Sequence, residues 1–225
     1  YYENGDEQLT HWVSYVVSVE EFLRNRGIGL VVALVPAKAR FYDRELGIRP
    51  YPGYAASRYS AFRDALVAEG IPVPDLRAVL RESRASGTEP FLRTDTHWSP
   101  AGALAAARVL AIDLERMLEQ RSAPRASFSR ERGERIVREG DLLSFIPLGP
   151  FADRFGPQPD LVAPARSTRE SSREAGLFGE VSIPVTLVGT SYSAGETWDF
   201  PGAIRAVASA DVLSVATRGE GPFVP

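Results

Sequence analysis

Residues 28–36 read IGLVVALVP, a run of apolar and β-branched residues with no polar interruption, closed by Pro36. Continuous apolar stretches of this length fit a strand buried on both faces rather than one with a solvated side. The run is far too short to span a bilayer, which takes about 20 apolar residues. A strand buried on both faces needs helices above and below it, and the neighbouring sequence has helical spacing. From His11 to Arg26, apolar Trp12, Val13, Val16, Val19, Phe22 and Leu23 recur at three- and four-residue intervals, and Gly27 is a stop.

Alternation of the same kind continues. Tyr54–Glu69 is predicted helical and ends at Gly70. IPVPDL is a short extended piece, and Arg77–Ala85 a further helix. Pro100–Glu119 is the clearest helix: Ser99 caps it, Pro100 opens its first turn, and Ala103, Leu104, Ala107, Leu110 and Leu114 form its apolar face. Residues 121–180, rich in Arg, Ser, Pro and Gly, have little periodicity and read as an irregular excursion or small β insertion, partly flexible. Val185–Val188 then make a short buried strand, Phe200–Ala208 a helix, and DVLSVAT a last strand. The order predicts an α/β fold with a mainly parallel sheet. Ligands in such folds sit at the carboxyl ends of strands, where the GTSYS and RGEGP turns both fall.

Composition removes several chemistries. Cysteine is absent, so there is no disulfide, thiolate metal site or cysteine nucleophile. A net charge of -3 without a basic stripe argues against nucleic acid. No glycine-rich loop ends in Lys-Ser or Lys-Thr, so no phosphate loop is present. Asp95 and His97 are two conceivable metal ligands, but no histidine cluster or carboxylate pair completes them. No signal sequence is visible at Tyr1, and the abrupt ends read as those of an excised or processed segment.

Nucleophilic catalysis by serine needs a base in hydrogen-bond reach and a group that orients the base. The two histidines are His11 and His97. His11 has no well-placed acid. His97 follows Asp95 by two positions, and residues i and i+2 of an extended segment point to the same side. Asp95 can then fix one ring nitrogen and leave the other free to accept a proton. The nucleophile candidate is Ser191, on the tight turn after a strand, with Ser193 as rival. The backbone N–H of Ser191 is also a candidate oxyanion donor. Each motif alone also fits something plainer: a capping aspartate beside a surface histidine, or an ordinary turn. Trp98 fits either a core anchor or a sugar-stacking platform, and Tyr192 is a second candidate substrate contact.

Together, DTHWSPAGA (Asp95–Ala103) and LVGTSYSA (Leu187–Ala194) resemble the alginate O-acetyltransferase family of the AlgX and AlgJ type, which are SGNH-hydrolase-like domains. VVALVPAKARFY is similar to that family's first buried strand, and ADVLSVATRGEGPFVP to the strand after its nucleophile helix. The resemblance implies a single domain over 1–225 with a three-layer fold and circularly permuted motif order, Asp-x-His ahead of the serine. It implies Ser191 as nucleophile, His97 as base and Asp95 as orienting acid, with no cofactor and no metal. It further implies a polysaccharide acceptor, an acetyl donor delivered by a membrane-bound acyltransferase, and a periplasmic setting. Gly219 or Gly221 would supply a glycine N–H to the oxyanion, while no asparagine is assignable to that role. A further C-terminal strand or carbohydrate-binding module is expected beyond Pro225. Acetyl transfer, simple ester hydrolysis and polysaccharide binding without catalysis all remain compatible with these residues.

Overall fold

The computed structural model describes residues 5–42, 45, 47, 51–170 and 182–219. Its contacts divide the chain into two compact units, Tyr1–Ala78 and Val79–Pro225.

The first unit holds α1 (Gly5–Arg24) and α2 (Gly53–Ala68). α1 begins earlier than its apolar spacing indicated and ends before Gly27, whose φ of +72° suits glycine. Leu66, Ile71 and Val73 form a buried cluster, against which Val13, Val16 and Val17 of α1 and Phe62 of α2 pack. Leu30, Val32 and Leu34 complete it. These three alternate along the IGLVVALVP run, so the segment is extended. It pairs into none of the described sheets, however; its Val32 N–H donates to the Pro72 carbonyl at 2.9 Å. Within this unit no residue from Ile28 to Val35 is fully buried, so the run is not the doubly covered strand that its composition predicts.

α3 (Leu76–Ala85) leads into the second unit, where α4 (Pro100–Gln120) is capped as expected: Ser99 Oγ accepts from the Gly102 N–H at 3.1 Å. Ala103, Ala106, Ala107 and Leu110 of α4 are buried, as are Phe200, Ala203 and Ile204 of α7 (Phe200–Ala208), and the two helices pack together. Alanines on both contact faces permit that close approach.

Residues 121–170 are more regular than their composition indicated. β1 (Phe128–Arg132) pairs antiparallel with β4 (Ala165–Arg169), and inside that pair β2 (Ile136–Arg138) runs antiparallel to β3 (Asp160–Val162). The tip between β2 and β3 carries 3-10 turns at Asp141–Phe145 and Gly149–Phe151 and the short α5 (Ala152–Phe155). The result is one long interrupted hairpin, the β insertion rather than the irregular excursion.

β5 (Val185–Gly189) and β6 (Val212–Ala216) form the parallel pair, in register from Val185↔Val212 to Gly189↔Ala216. Among the described residues this is the one parallel pairing, so the expected mainly parallel central sheet is represented by two strands. The expectation that Val185–Val188 is buried also fails within this unit: Val188 is 78% exposed, because α7 and the helical turn at Ser191–Ala194 contact only part of the pair's surface. α6 (Ser191–Ala194) is a single helical turn that begins directly after β5. No described helix is long and apolar enough to cross a membrane.

Candidate active site

The segment from Pro90 to Ser99 closes on itself. Phe91 and Trp98 form an isolated antiparallel bridge, Leu92 N–H donates to the His97 carbonyl, and Ser99 N–H to that of Pro90. Asp95 therefore lies at the tip of a tight loop, not in the extended strand that the i, i+2 argument assumed. Its reach to His97 has another cause: Oδ1 accepts the His97 backbone N–H at 2.9 Å, the aspartate turn that short acidic side chains favour. The same oxygen accepts the His97 Nδ1–H at 2.5 Å. A carboxylate only accepts, so Nδ1 carries the proton and Nε2 is left as an acceptor. Ser191 Oγ lies 2.8 Å from Nε2 and donates to it.

Carboxylate, imidazole and hydroxyl are thus brought into one hydrogen-bonded line across 94 positions of sequence. Ser191 is held at the first residue of α6, and Gly189 allows the turn: a Cβ there would strike the Ser193 side chain. Ser193 itself is buried and donates its backbone N–H to the Thr190 carbonyl; among the described residues the hydroxyl on Nε2 is that of Ser191.

Burial tends to raise the pKa of Asp95, which is 1% exposed, but hydrogen bonds from the His97 ring and backbone, followed by the Arg138 guanidinium, outweigh it. The carboxyl is held well below its usual range. Arg138 donates to Oδ2 of Asp95 at 3.1 Å and to Thr197 Oγ1 at 3.3 Å, and its guanidinium lies 5.4 Å from the Trp198 ring centre. Both oxygens of the buried acid are therefore engaged.

His97 is fixed from its faces too. Trp198 stacks on the imidazole at 4.9 Å with 17° between planes, and Tyr192 leans on it at 4.8 Å. Trp198 Nε1–H donates to the Tyr192 carbonyl at 2.7 Å, and Trp98 Nε1–H donates to the same oxygen at 3.1 Å. Trp98 offers no face for sugar stacking. It is fully buried, packed on Phe200 and edge-on to Tyr192, and acts as a core anchor. The Tyr192 hydroxyl donates to the Thr96 carbonyl at 2.8 Å; burial, then the charges of Asp141 and Asp95, push this phenol up to about 12.

The inserted hairpin supplies what the sequence reading missed. Asp160, at the start of β3, accepts the N–H groups of Arg93 and Thr94 at 2.7 and 2.8 Å and the Thr94 hydroxyl at 2.5 Å. Leu142 N–H donates to the Thr94 carbonyl and Gly140 N–H to the Thr94 hydroxyl. A Cβ at Gly140 would overlap the Thr94 carbonyl, so only glycine allows the hairpin to come this close. Asp141 accepts the Thr96 N–H at 2.7 Å and the Thr96 hydroxyl. No local spacing pointed to these residues; they lie 43–67 positions from the loop they hold.

A cleft of about 560 Å³ opens beside Asp95 and His97, lined also by Arg138, Glu139, Asp141 and Ser144. Asp95, His97 and Asp141 each offer an atom within 4.8 Å of the others. They do not suit a resident cation: His97 Nδ1 carries the proton that Asp95 accepts, and Arg138 and Thr96 occupy the remaining near oxygens. Gly219, at φ +75°, follows the end of β6, where Thr217 N–H donates to the Gly189 carbonyl, so its turn lies on the same strand edge as Ser191. Gly221 falls outside the described residues.

Comparison with known proteins agrees with this fold. The whole chain, residues 1–225, matches the family described as SGNH hydrolase-like domain, acetyltransferase AlgX. It is 38% identical over 231 residues to the probable alginate O-acetylase AlgJ of Pseudomonas aeruginosa, covering 99% of this chain and 58% of that protein. Identity to the Azotobacter vinelandii counterpart is 36% over 232 residues, covering 98% of this chain and 57% of that protein. The chain therefore spans little more than half the length of the curated relatives it matches. Among solved structures, the O-acetyltransferase domain of Pseudomonas putida AlgJ superposes with a TM-score of 0.83 at 33% identity, covering 98% of this chain and 74% of that one. Pseudomonas aeruginosa AlgX shares the fold, with a TM-score of 0.69 at 23% identity over 93% of this chain and 49% of that one.

Proposed function

The chain belongs to the SGNH hydrolase-like family of acetyltransferase AlgX, and from that premise we propose that it is a serine-dependent O-acetyltransferase acting on the hydroxyls of an alginate-like exopolysaccharide. The observation that carries the reading is the line from Asp95 Oδ1 through both nitrogens of His97 to Ser191 Oγ, at 2.5 and 2.8 Å.

In this reading His97 Nε2 takes the proton of Ser191 as Oγ attacks the acetyl carbonyl of the donor. Backbone N–H groups around Ser191 stabilise the tetrahedral oxyanion, each such donor contributing about 100- to 1000-fold in rate. Collapse breaks the bond to the donor's leaving oxygen or sulfur, which receives the proton from Nε2, and acetyl-Ser191 remains. His97 then removes the proton of a sugar hydroxyl, whose oxygen attacks the acetyl carbon. The second tetrahedral species releases Ser191, and His97 returns its proton. Asp95 keeps the imidazole in one tautomer and orientation in both steps. The relatives' printed activity, alginate O-acetylation, supports the choice of transfer over hydrolysis. With it we infer a polysaccharide acceptor, a donor delivered by a membrane-bound acyltransferase, and a periplasmic setting.

The test uses Ser191→Ala with a chromogenic acetyl ester and a panel of oligosaccharides. Wild-type protein is expected to release the chromophore and yield acetylated sugar by mass spectrometry, and the variant to do neither. Free acetate with every acceptor offered would make the protein an esterase. Sugar binding without turnover in the wild type would make it a binding module.

A further inference from the structure

The charges around His97 do not balance with the Asp95–His97–Ser191 line alone. Asp95 is paired on its other oxygen with Arg138, so those two charges cancel. An imidazolium formed beside a neutral pair lacks the full benefit of its carboxylate. Asp141, 45 positions after Thr96, supplies a second negative charge: its Oδ2 lies 3.6 Å from His97 Nδ1, on the same side of the ring as Asp95. Its other contacts in the site are to neutral donors, the Thr96 N–H and hydroxyl.

We propose that Asp141 is a positioning residue for acyl transfer, holding the Thr96 peptide between acid and base and providing the charge that offsets the His97 imidazolium. The inference rests on the acyl-transfer reading of Ser191 and His97. With Asp141 counted, Asp95, Asp141, Arg138 and a protonated His97 sum to zero. Among the described residues, the other groups facing the imidazole are Ser191, the Trp198 ring, the Tyr192 phenol and the Thr96 hydroxyl at 3.4 Å from Nδ1, all uncharged at neutral pH; Glu139 lines the cleft beyond them. The field of Asp141 reaches across the site, since it contributes to the raised pKa of Tyr192. Asp141 is 42% exposed, so solvent screens its effect and a moderate contribution is expected.

Asp141→Asn separates charge from clamp. The amide oxygen can still accept from the Thr96 N–H, and the amide nitrogen can donate to the Thr96 hydroxyl. The experiment measures kcat/KM for acetyl ester cleavage from pH 4 to 9 in wild type, Asp141→Asn, Asp141→Ala and Ser191→Ala. Loss of the charge makes the imidazole a weaker base. Asp141→Asn is expected to move the acid limb down by about 0.5–1 pH unit and to lower the plateau about tenfold. Asp141→Ala should lose more, having lost the clamp as well. Wild-type plateau and limb in Asp141→Asn overturn the proposal, whatever Asp141→Ala does, because a purely structural clamp survives the amide. Full activity in Ser191→Ala overturns instead the reading on which the proposal rests.

Discussion

Arg138 and His97 hold opposite oxygens of Asp95, the guanidinium at 3.1 Å from Oδ2 and the imidazole at 2.5 Å from Oδ1. The acid is anchored from the inserted hairpin as well as from its own loop. Replacing Arg138 with Met removes the guanidinium hydrogen bond to Oδ2. Hydrogen bonds to charged groups contribute about 1.5–3 kcal/mol, and Arg138 is partly exposed, so a loss near the low end is expected in urea unfolding. An unchanged midpoint would show that water replaces the guanidinium at no cost.

Gly140→Ala is expected to be far more damaging than a typical surface substitution. The added Cβ meets the Thr94 backbone, not the flexible end of a side chain, so the hairpin has to withdraw from the 93–97 loop. Arg138 and Asp141 move with it. Ester cleavage is expected to fall at least tenfold, since misplacement of catalytic groups by about 1 Å can cost about 100-fold. Wild-type kcat/KM in this variant would show that the hairpin does not position the loop.

Asp95 gives stability a defined pH dependence. Its pKa is depressed from an ordinary 3.8 in the folded state, so the unfolded chain binds its proton first as pH falls. The stabilisation is present above 3.8 and is lost as pH drops below it toward the folded value. Asp95→Asn is therefore expected to flatten the acid branch of a stability–pH curve below pH 4, while lowering kcat about 10³- to 10⁴-fold through loss of the fixed tautomer. A parallel acid branch in the variant would assign acid lability to other groups.

Trp198 contributes a stacked face to His97 and an N–H to the Tyr192 carbonyl. Its position is enforced by Asp199, which adopts left-handed backbone at φ +42°, caps α7 through the Gly202 N–H, and is held by Arg130 at 3.0 Å. Trp198→Phe keeps an aromatic face, whereas Trp198→Leu does not. Rates are expected to fall in the order wild type, Phe, Leu, with Leu also costing about 2–4 kcal/mol of stability. Equal rates for Phe and Leu would remove the ring face from the account.

The sequence made some elements plain because their signals are local. Ser99 and Pro100 announce the start of α4, Gly70 follows the end of α2, and Asp95 and His97 are two residues apart. The serine was legible because the turn after β5 places it at a strand end. What stayed hidden is carried by distant partners. Arg138, Asp141 and Asp160 sit in a stretch whose composition resembles surface loop, and their function arises only when β2 and β3 pair. Trp198 carries no local signal either, since nothing in TWDF foretells an imidazole above it. The IGLVVALVP run shows the converse error: apolar composition specifies an extended segment, but neither how deeply it is covered nor how many neighbours it hydrogen-bonds.

The most direct test is to find the acetyl group on the enzyme. Wild-type protein and His97→Ala are mixed briefly with an activated acetyl ester, quenched in acid and digested, and the peptide containing Ser191 is sequenced by mass spectrometry. The account predicts one acetyl on Ser191 in the wild type, discharged when oligosaccharide is added before the quench, and essentially none in His97→Ala. Acetylation confined to another residue, or an unmodified Ser191 in protein that is turning over ester, would contradict it.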